Sequence, residues 1–342
     1  MQQVFNMNEE AVNKFWELSL NQTFMIPSYF DYPVYDDFCY QYMCQDKIRM
    51  NSYQTVINKT VKNKKVVEIG TGATFPLAQM CVEAGAEIIY AIESEKSAAQ
   101  KAINLISKKG LSDRIKVIIG DSSEVELPEK VDVCLSEIIG GIGSSEGAIA
   151  VLKDSKRFLK EETGIMIPAR CVTQIAPVSL PDNLYQDEFL EEIINHHNRA
   201  FYQAKGYEHT FTRFLFHNLP ESHFLASSQV FEDIQFDGQL EPNFSCSLSF
   251  PISSEGTFNG FLLWINLYVD SATMINALKD GTNWATIYLP NQGVTKVKSG
   301  DVIQTDCTVR LSKNGINPDY IIKGGVFRNN DKIHDIEINS LY

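Results

Sequence analysis

The chain has 342 residues, of which 44% are hydrophobic and 21% charged, and its 43 acidic and 30 basic side chains give a formal net charge of −13. This composition provides enough apolar material for one or two cores and excludes a disordered chain, a collagen and a repeat array. The acidic surplus disfavours a nucleic-acid groove, since phosphates require a basic surface, and it favours a cationic partner. An acidic surplus that only keeps the protein soluble is the alternative.

Cysteine usage and targeting signals predict a cytoplasmic protein. The seven cysteines are scattered along the chain without a C-x-x-C pair or a nearby histidine cluster, so we expect reduced thiols and no metal site. No apolar run approaches the roughly 20 residues of a membrane-spanning helix, and the first residues lack the basic and apolar regions of a signal peptide. We therefore expect no membrane partner.

Residues 1–60 are predicted to form an N-terminal helical segment, and residues 61–168 a doubly wound α/β domain. Within the second region short β-branched runs alternate with helix-like stretches. The runs are KVVEI (65–69), EIIYAIE (87–93), RIKVIIGD (114–121) and KVDVCLSE (130–137). Apolar strands separated by helices of this length are typical of a parallel sheet covered on both faces. This pattern predicts a Rossmann-like fold.

Beyond residue 168 the pattern changes to strand after strand, which predicts an antiparallel β-barrel or sandwich over residues 169–342. A helical stretch at 183–206 interrupts these strands as an insertion. The spacing of its apolar residues is that of an amphipathic helix. Its apolar face comprises Leu190, Ile193, Ile194 and Phe201.

A glycine loop follows the first strand of the α/β region. Gly70 and Gly72 allow the backbone to turn tightly and to approach a ligand at the N-terminus of the next helix. Glu93 closes the second strand 21 residues after Gly72, where a carboxylate can accept hydrogen bonds from both ribose hydroxyls. The loop and the acid together predict a nucleoside cofactor, and a dinucleotide fits this much of the pattern.

Two details favour S-adenosylmethionine (SAM) over a dinucleotide. Glu68 precedes the glycines and would repel a pyrophosphate, whereas it suits the cationic end of a sulfonium amino acid. The third glycine of the dinucleotide fingerprint is also absent from this loop. After the third strand, Asp121 offers a carboxylate to the adenine amino group and Ser122 a backbone N–H. In the alternative, the roles of these residues are structural: Gly70 forms a turn, Glu93 is a solvated strand end and Asp121 caps a helix.

The fourth strand leads into a loop that begins and ends with a carboxylate, SEIIGGIGSSE (136–146). Its glycines would let the loop fold as a hairpin with Glu137 and Glu146 both facing the cofactor. Two carboxylates in one pocket suit a planar guanidinium, which they can hold by forked, charge-assisted hydrogen bonds. Such a pair would orient one nitrogen for attack on the sulfonium methyl. In the alternative, Glu137 is a strand-end acid and Glu146 a first-turn acid of the following helix.

This loop resembles the double-E loop of the protein arginine methyltransferases, which also opens with Ser-Glu after the fourth strand and separates its acids by nine positions. The family's M-L-x-D-x-x-R…Y segment is matched by Met43, Asp46, Arg49 and Tyr53. The resemblance implies that Arg49 binds the carboxylate of SAM and that Met43 lies near its methyl group. It also implies that the helical arm at 183–206 docks on a second subunit, and hence a homodimer.

The chain departs from this family at three places. The family's Thr-His-Trp loop is Thr282-Asn283-Trp284 here, and an asparagine beside Asp46 cannot take up a proton near neutral pH. Isoleucine, glycine and serine replace the bulky residues between the two glutamates, which predicts a roomier pocket. The family's Y-F-x-x-Y lid motif is only approximated, by Tyr29, Tyr32 and Tyr35.

The sequence leaves three functions open. The first is a SAM-dependent methyltransferase, with S-adenosylhomocysteine as product, that N-methylates a guanidinium in a protein, a peptide or a small guanidine compound. The second is a small-molecule methyltransferase of the same fold, acting on an amine, hydroxyl, carboxylate or carbon nucleophile. The third is a SAM-fold partner subunit that has lost catalysis. The expected cofactor-binding residues are Met43, Arg49, Glu68, Gly70, Gly72, Glu93, Asp121 and Ser122, and the expected catalytic residues are Glu137, Glu146, Asp46 and Asn283.

Overall fold

The computed structural model describes residues 8–28, 37–208 and 210–342, without the side chains of Asp37 and Ala204. The helices within these ranges are α1 (Glu9–Asn21), α2 (Asp37–Cys44), α3 (Lys47–Thr60), α4 (Pro76–Glu83), α5 (Lys96–Lys108), α6 (Ala148–Leu152) and α7 (Glu188–Lys205). The strands are β1 (Phe24–Pro27), β2 (Lys65–Ile69), β3 (Ile88–Glu93), β4 (Ile115–Ile119), β5 (Val133–Ser136), β6 (Ile165–Ile167), β7 (Arg170–Val178), β8 (Phe214–His217), β9 (Gln229–Gln235), β10 (Phe244–Pro251), β11 (Gly256–Tyr268), β12 (Met274–Asn276), β13 (Thr286–Val297), β14 (Val302–Leu311), β15 (Pro318–Arg328) and β16 (Asp331–Ser340). The residues of the approximate lid motif, Tyr29, Tyr32 and Tyr35, lie outside the described residues.

Five parallel strands form the first sheet in the order β4-β3-β2-β5-β6, as the alternation of strands and helices predicts. The order reverses next to β2, which pairs with β3 on one side and with β5 on the other. In open α/β sheets the ligand crevice lies at such a point, outside the carboxyl ends of the strands. The glycine loop after β2 and the double-glutamate loop after β5 therefore leave the sheet side by side.

Two antiparallel sheets follow, in agreement with the predicted barrel or sandwich. One has the order β1-β8-β13-β11-β7-β9 with β12 paired to β11, and the other has the order β10-β14-β15-β16. Their apolar side chains share one core, whose fully buried members include Phe250, Phe258, Phe261, Leu289 and Ile322. Alternation of buried and exposed residues along these strands produces this core.

The N-terminal segment is not purely helical, which corrects the prediction for residues 1–60. β1 pairs antiparallel with β8, so that Phe24 lies opposite His217, and this strand joins the larger antiparallel sheet. Four residues are too few for the alternation of a strand to be recognised in the sequence. The strand forms by pairing with β8, whose residues come from a distant part of the chain. β16 ends the region predicted to be an antiparallel barrel or sandwich, and its buried residues alternate along the strand, as at Ile336 and Ile338.

The predicted helical arm is α7. It begins after Asp187, whose carboxylate accepts a hydrogen bond from the Leu190 N–H (2.9 Å), and it ends at Gly206, which has a φ of 78°. Leu190 and Ile193 are buried in one cluster with residues of α1, β1 and α2 of the same chain, and Phe201 is buried as well. Leu190 and Ile193 are therefore covered by their own chain, and the docking of the arm on a second subunit stays a prediction. The homodimer itself stays a prediction.

Three general properties bear on the class of protein. In the ranges that the structure describes, no helix combines the length and the apolar composition needed to cross a membrane. None of the seven cysteines, all of which are described, forms a disulfide. No group of three or more His, Cys, Asp or Glu side chains among the described residues is placed to hold a metal ion.

Candidate functional site

A cavity of about 640 Å³ lies at the carboxyl ends of the parallel strands and extends to residues of α2, α3, α7 and the antiparallel sheets. Its size is within the roughly 300–1,000 Å³ of small-molecule sites in proteins. Most of the predicted site residues line it, namely Met43, Arg49, Glu68, Gly70, Gly72, Glu93, Asp121, Ser122, Glu137, Glu146 and Asn283. Asp46, whose side chain is fully buried, is not among them.

The glycine loop is joined to the neighbouring strand through one carboxylate. Gly70 and Gly72 have φ of +79° and +67°, in the left-handed region that favours glycine. The Gly72 N–H donates to Glu93 Oε2 (2.8 Å), and the Glu95 N–H donates to Oε1 of the same side chain (2.9 Å). Each carboxylate oxygen can accept a further hydrogen bond, so Glu93 retains the capacity to bind hydroxyl groups in the cavity.

Glu68 is a buried acid near the end of β2. It is 1% exposed and accepts a hydrogen bond from the Thr71 hydroxyl (2.6 Å). Burial raises the pKa of Glu68 to about 7, and the nearby Glu93 carboxylate adds to this rise. A cationic ligand group beside Glu68 would favour its ionised form, which is the chemistry predicted for this position.

Asp121 and Ser122 follow β4 at the edge of the cavity. Asp121 Oδ1 accepts hydrogen bonds from the N–H (2.8 Å) and the hydroxyl (2.6 Å) of Ser123, and these bonds lower the pKa of Asp121. Ser122 is buried, and its carbonyl accepts a hydrogen bond from Arg157 (2.6 Å). The turn after β4 therefore presents an ionised carboxylate, as the predicted contact with an adenine amino group requires.

Arg49 and Glu137, which were predicted to hold different ligand groups, bind each other. Arg49 Nη1 lies 2.9 Å from Glu137 Oε2, and Nη2 donates to Asn283 Oδ1 at 2.6 Å. The guanidinium also stacks on the Trp284 ring, 3.6 Å from its centre. The Arg49 guanidinium is thus held between a carboxylate, an amide oxygen and an aromatic face of its own chain.

Asp46 holds two elements of the chain together, and its assignment as a catalytic residue stays a prediction. It caps the start of α3 by accepting a hydrogen bond from the Arg49 N–H (2.9 Å). It also accepts hydrogen bonds from the Asn283 N–H (2.9 Å) and from the Thr282 hydroxyl. Asp46 therefore ties α3 to the loop that precedes β13.

The Asn283 side chain turns to Arg49 and not to Asp46. Its Oδ1 accepts the Arg49 hydrogen bond, and its Nδ2 donates to the Tyr42 carbonyl (3.3 Å). An amide cannot take up a proton near neutral pH. His217, which reaches the cavity from β8, is a weak base because burial lowers its pKa to about 4. Neither side chain provides the proton acceptor that a histidine at position 283 would supply.

The double-glutamate loop folds back on itself, as its glycines predict. A methyl group at Gly140 would lie 2.1 Å from Ser145 Oγ and 3.1 Å from Glu146 Cγ, so glycine is needed for the two arms to approach. Glu137 and Glu146, at the two ends of the hairpin, both reach the cavity. The predicted pair of carboxylates therefore lies in one cavity with the glycine loop.

A buried carboxylate that the sequence analysis did not single out anchors this hairpin. Glu232, on β9, accepts hydrogen bonds from the Ser144 N–H (3.0 Å), the Ser144 hydroxyl (2.7 Å) and the Thr173 hydroxyl (2.8 Å). The Tyr320 hydroxyl lies 2.8 Å from the same serine oxygen. Burial raises the pKa of Glu232, whereas these hydrogen bonds oppose the rise. The signal in the sequence is its two-residue spacing from the apolar Ile234, which places both on the inward face of the strand.

Comparisons with known proteins point to one family. Residues 17–167 match the family model described as PRMT5 arginine-N-methyltransferase. The histone-arginine methyltransferase CARMER of Anopheles gambiae is 36% identical over 152 residues, which is 44% of this chain and 24% of that protein. CARMER of Culex quinquefasciatus is 28% identical over 298 residues, which is 77% of this chain and 46% of that protein. The chain thus spans less than half the length of these curated relatives.

Two solved structures share the fold of this chain. Protein arginine methyltransferase 10 of Arabidopsis thaliana has a TM-score of 0.72 at 17% identity, covering 91% of this chain and 99% of that one. The Trypanosoma brucei PRMT1 enzyme-prozyme heterotetrameric complex with AdoHcy has a TM-score of 0.70 at 15% identity, covering 91% and 100%. The chain is therefore similar to the protein arginine methyltransferases, in sequence over the residues that the family model matches and in fold over 91% of its length.

Proposed function

We propose that this chain is a SAM-dependent methyltransferase that N-methylates the guanidinium of arginine in a protein or peptide. The observation that carries the proposal is the Arg49 guanidinium on Glu137 Oε2, at 2.9 Å and inside the cavity. Glu137 accepts in this contact the chemical group of the proposed substrate. The name of the two mosquito relatives, histone-arginine methyltransferase, supports the same substrate class.

The part of the cavity formed by the glycine loop and the neighbouring strand ends suits SAM. A Cβ atom at Gly72 would meet no atom within 4 Å, so a ligand can approach the backbone there. Glu93 has acceptor capacity for ribose hydroxyls, and Glu68 has the ionisation behaviour that suits a cationic amino-acid end. The Trypanosoma brucei neighbour contains AdoHcy. We assign to this cofactor Met43, Arg49, Glu68, Gly70, Gly72, Glu93, Asp121 and Ser122.

When bound, SAM supplies an electrophilic sulfonium methyl. The chain's own contribution is to hold a guanidinium between Glu137 and Glu146, which draws positive charge toward the bonded nitrogens and orients the remaining one. Because Arg49 already contacts Glu137, an incoming guanidinium has to share this carboxylate or displace Arg49 from it. Asn283 cannot accept the substrate proton, so the proton leaves to a glutamate or to water.

Mass-spectrometric detection of methyl transfer tests the proposal, with an arginine-rich peptide, free arginine and agmatine offered in parallel. We expect methylation of the peptide. Glu137→Gln should lower turnover by about a hundredfold or more, because a neutral amide no longer stabilises the cation in the transition state. Glu161→Gln, at an exposed position, is the matched control and should leave turnover unchanged.

The other outcomes separate the remaining functions. Methylation of free arginine or agmatine alone would identify a small guanidine compound as the substrate. If no guanidine is methylated although calorimetry detects SAM binding, the proposal fails, and a small-molecule methyltransferase with another nucleophile or a subunit without catalysis takes its place. Offering amines, hydroxyls and carboxylates then distinguishes these two.

We also propose that the protein forms a homodimer. The Trypanosoma brucei neighbour is a heterotetrameric complex, and the end of the helical arm exposes Tyr202 (55%) and Tyr207 (57%). Light scattering across micromolar concentrations should give twice the mass of the chain. A monomer mass throughout that range would contradict the dimer.

A further inference from the structure

A cysteine and a histidine face each other on the part of the cavity wall that the proposed reaction does not use. Cys39 belongs to α2 and His197 to the helical arm α7, and Sγ lies 3.5 Å from Nε2. Both residues line the cavity, and Cys39 is half-buried. Cys39 precedes Met43 by one helical turn and so shares its face of α2. The thiol is therefore accessible from the same space as the predicted methyl-transfer site.

The second nitrogen of the histidine determines where its proton lies. His197 Nδ1 is 2.9 Å from the Ile193 carbonyl oxygen, and a carbonyl only accepts hydrogen bonds. Nδ1 therefore carries the proton of the neutral ring, and Nε2 presents its lone pair to the Cys39 thiol. A nucleophile, a base in hydrogen-bond reach and a group that orients the base form the arrangement that activates cysteine thiols.

Four of the other cysteines, Cys44, Cys81, Cys134 and Cys171, have no such base beside a cavity-facing thiol among the described residues. Burial raises the pKa of the Cys81, Cys134 and Cys171 thiols and keeps them protonated. Cys44, five residues after Cys39, is exposed, yet partial desolvation of its thiol also raises its pKa. If solvent exposure alone determined reactivity, Cys44 would react faster than Cys39. Comparing the two rates therefore separates the effect of exposure from the effect of activation by His197.

We propose that Cys39 is a modification site for small, soft carbon electrophiles that enter the cavity, with His197 as its base. In the reaction with an alkyl iodide, Cys39 Sγ forms a bond to the carbon and the carbon–iodine bond breaks. Iodide leaves, and the thiol proton passes to His197 Nε2. This site is independent of the proposed methyl transfer and takes a different class of ligand.

Limited labelling with iodoacetamide, followed over time by mass spectrometry of the cysteine peptides, tests the proposal on the full chain. We expect Cys39 to react at least about tenfold faster than Cys44, because activation of the thiol outweighs the lower exposure. A Cys39 rate equal to or below the Cys44 rate would overturn the proposal. This comparison is made within one folded molecule and needs neither SAM nor a methyl acceptor.

Two variants then test whether His197 is the base that activates Cys39. His197→Gln keeps a polar side chain of similar length but cannot take up a proton, so it should slow Cys39 at least about fivefold and leave Cys44 unchanged. His196→Gln, at the adjacent position of the arm, is the matched control and should change neither rate. An unchanged Cys39 rate in His197→Gln would remove His197 as the base. Labelling of the buried Cys134 in a variant reports unfolding, and the wild-type rate ratio then decides the proposal.

Discussion

The two sides of the cavity are stabilised by hydrogen bonds between residues with very different separations along the chain. On the side of the parallel sheet, Gly72 bonds Glu93, which is 21 residues away. On the side of the antiparallel sheets, Ser144 bonds Glu232, which is 88 residues away. The glycine loop and Glu93 therefore belong to one strand-helix-strand unit, whereas the glutamate side exists only when the antiparallel sheets pack against the parallel one. Substitutions on the two sides should differ accordingly.

The largest effect is expected at Glu232. Glu232→Ala leaves the buried Ser144 and Thr173 donors without their acceptor, and the free energy of unfolding should fall by about 2–3 kcal/mol in urea denaturation. Asp233→Ala removes only a half-exposed ion pair with Arg170, and should cost about 0.5 kcal/mol or less. Equal losses in the two variants would contradict the anchoring of the hairpin by Glu232.

On the cofactor side, Glu68 should make stability depend on pH. Its pKa is raised from 4.5 to about 7 in the folded protein, so the folded state binds this proton more tightly than the unfolded state does. The resulting stabilisation is present below about pH 4.5, declines by up to about 1.4 kcal/mol per pH unit and is lost above about pH 7.

Glu68→Gln tests this pH dependence, because it removes the titrating group. The difference in free energy of unfolding between Glu68→Gln and the wild type should shift in favour of the variant by about 2 kcal/mol from pH 5 to pH 7.5. Urea denaturation of both proteins at the two pH values measures the difference, with Glu161→Gln as an exposed control. Parallel pH profiles for wild type and Glu68→Gln would show that Glu68 is not the group responsible.

A smaller effect is expected where α3 meets the loop before β13. Thr282→Val removes a hydroxyl that donates to the buried Asp46 and should lower the free energy of unfolding by about 1 kcal/mol. Thr282→Ser keeps the hydroxyl and should stay within about 0.5 kcal/mol of the wild type. If the two variants are equally destabilised in urea, the threonine methyl and not its hydroxyl holds the loop.

The cofactor side could largely be predicted from the sequence, because its signals are local. The strand before Gly70 and the acid that ends β3 are separated by one helix, and the ends of neighbouring parallel strands meet at one edge of a sheet. The glycines of the double-glutamate loop also indicated a hairpin, since close approach of Gly140 and Ser145 requires a residue without a side chain.

The sequence did not indicate side-chain contacts whose partners come from distant parts of the chain. Arg49 bonds Glu137 and Asn283, and neither contact was predicted. Leu190 looked like part of a subunit interface, and the N-terminal segment of its own chain covers it. Glu232 was overlooked because the role of a single acid on a strand depends on what packs against that strand.

The sequence by itself determined the fold class and indicated a group of residues that line the cavity, because strand and helix periodicity and turn chemistry depend on neighbouring residues. Only the tertiary structure decided which of these residues bind one another. A hydrogen-bond partner is selected by the distance and orientation that the packed sheets impose, and residues 88 to 237 positions apart, such as Ser144 with Glu232 or Asp46 with Asn283, acquire these only in the folded protein.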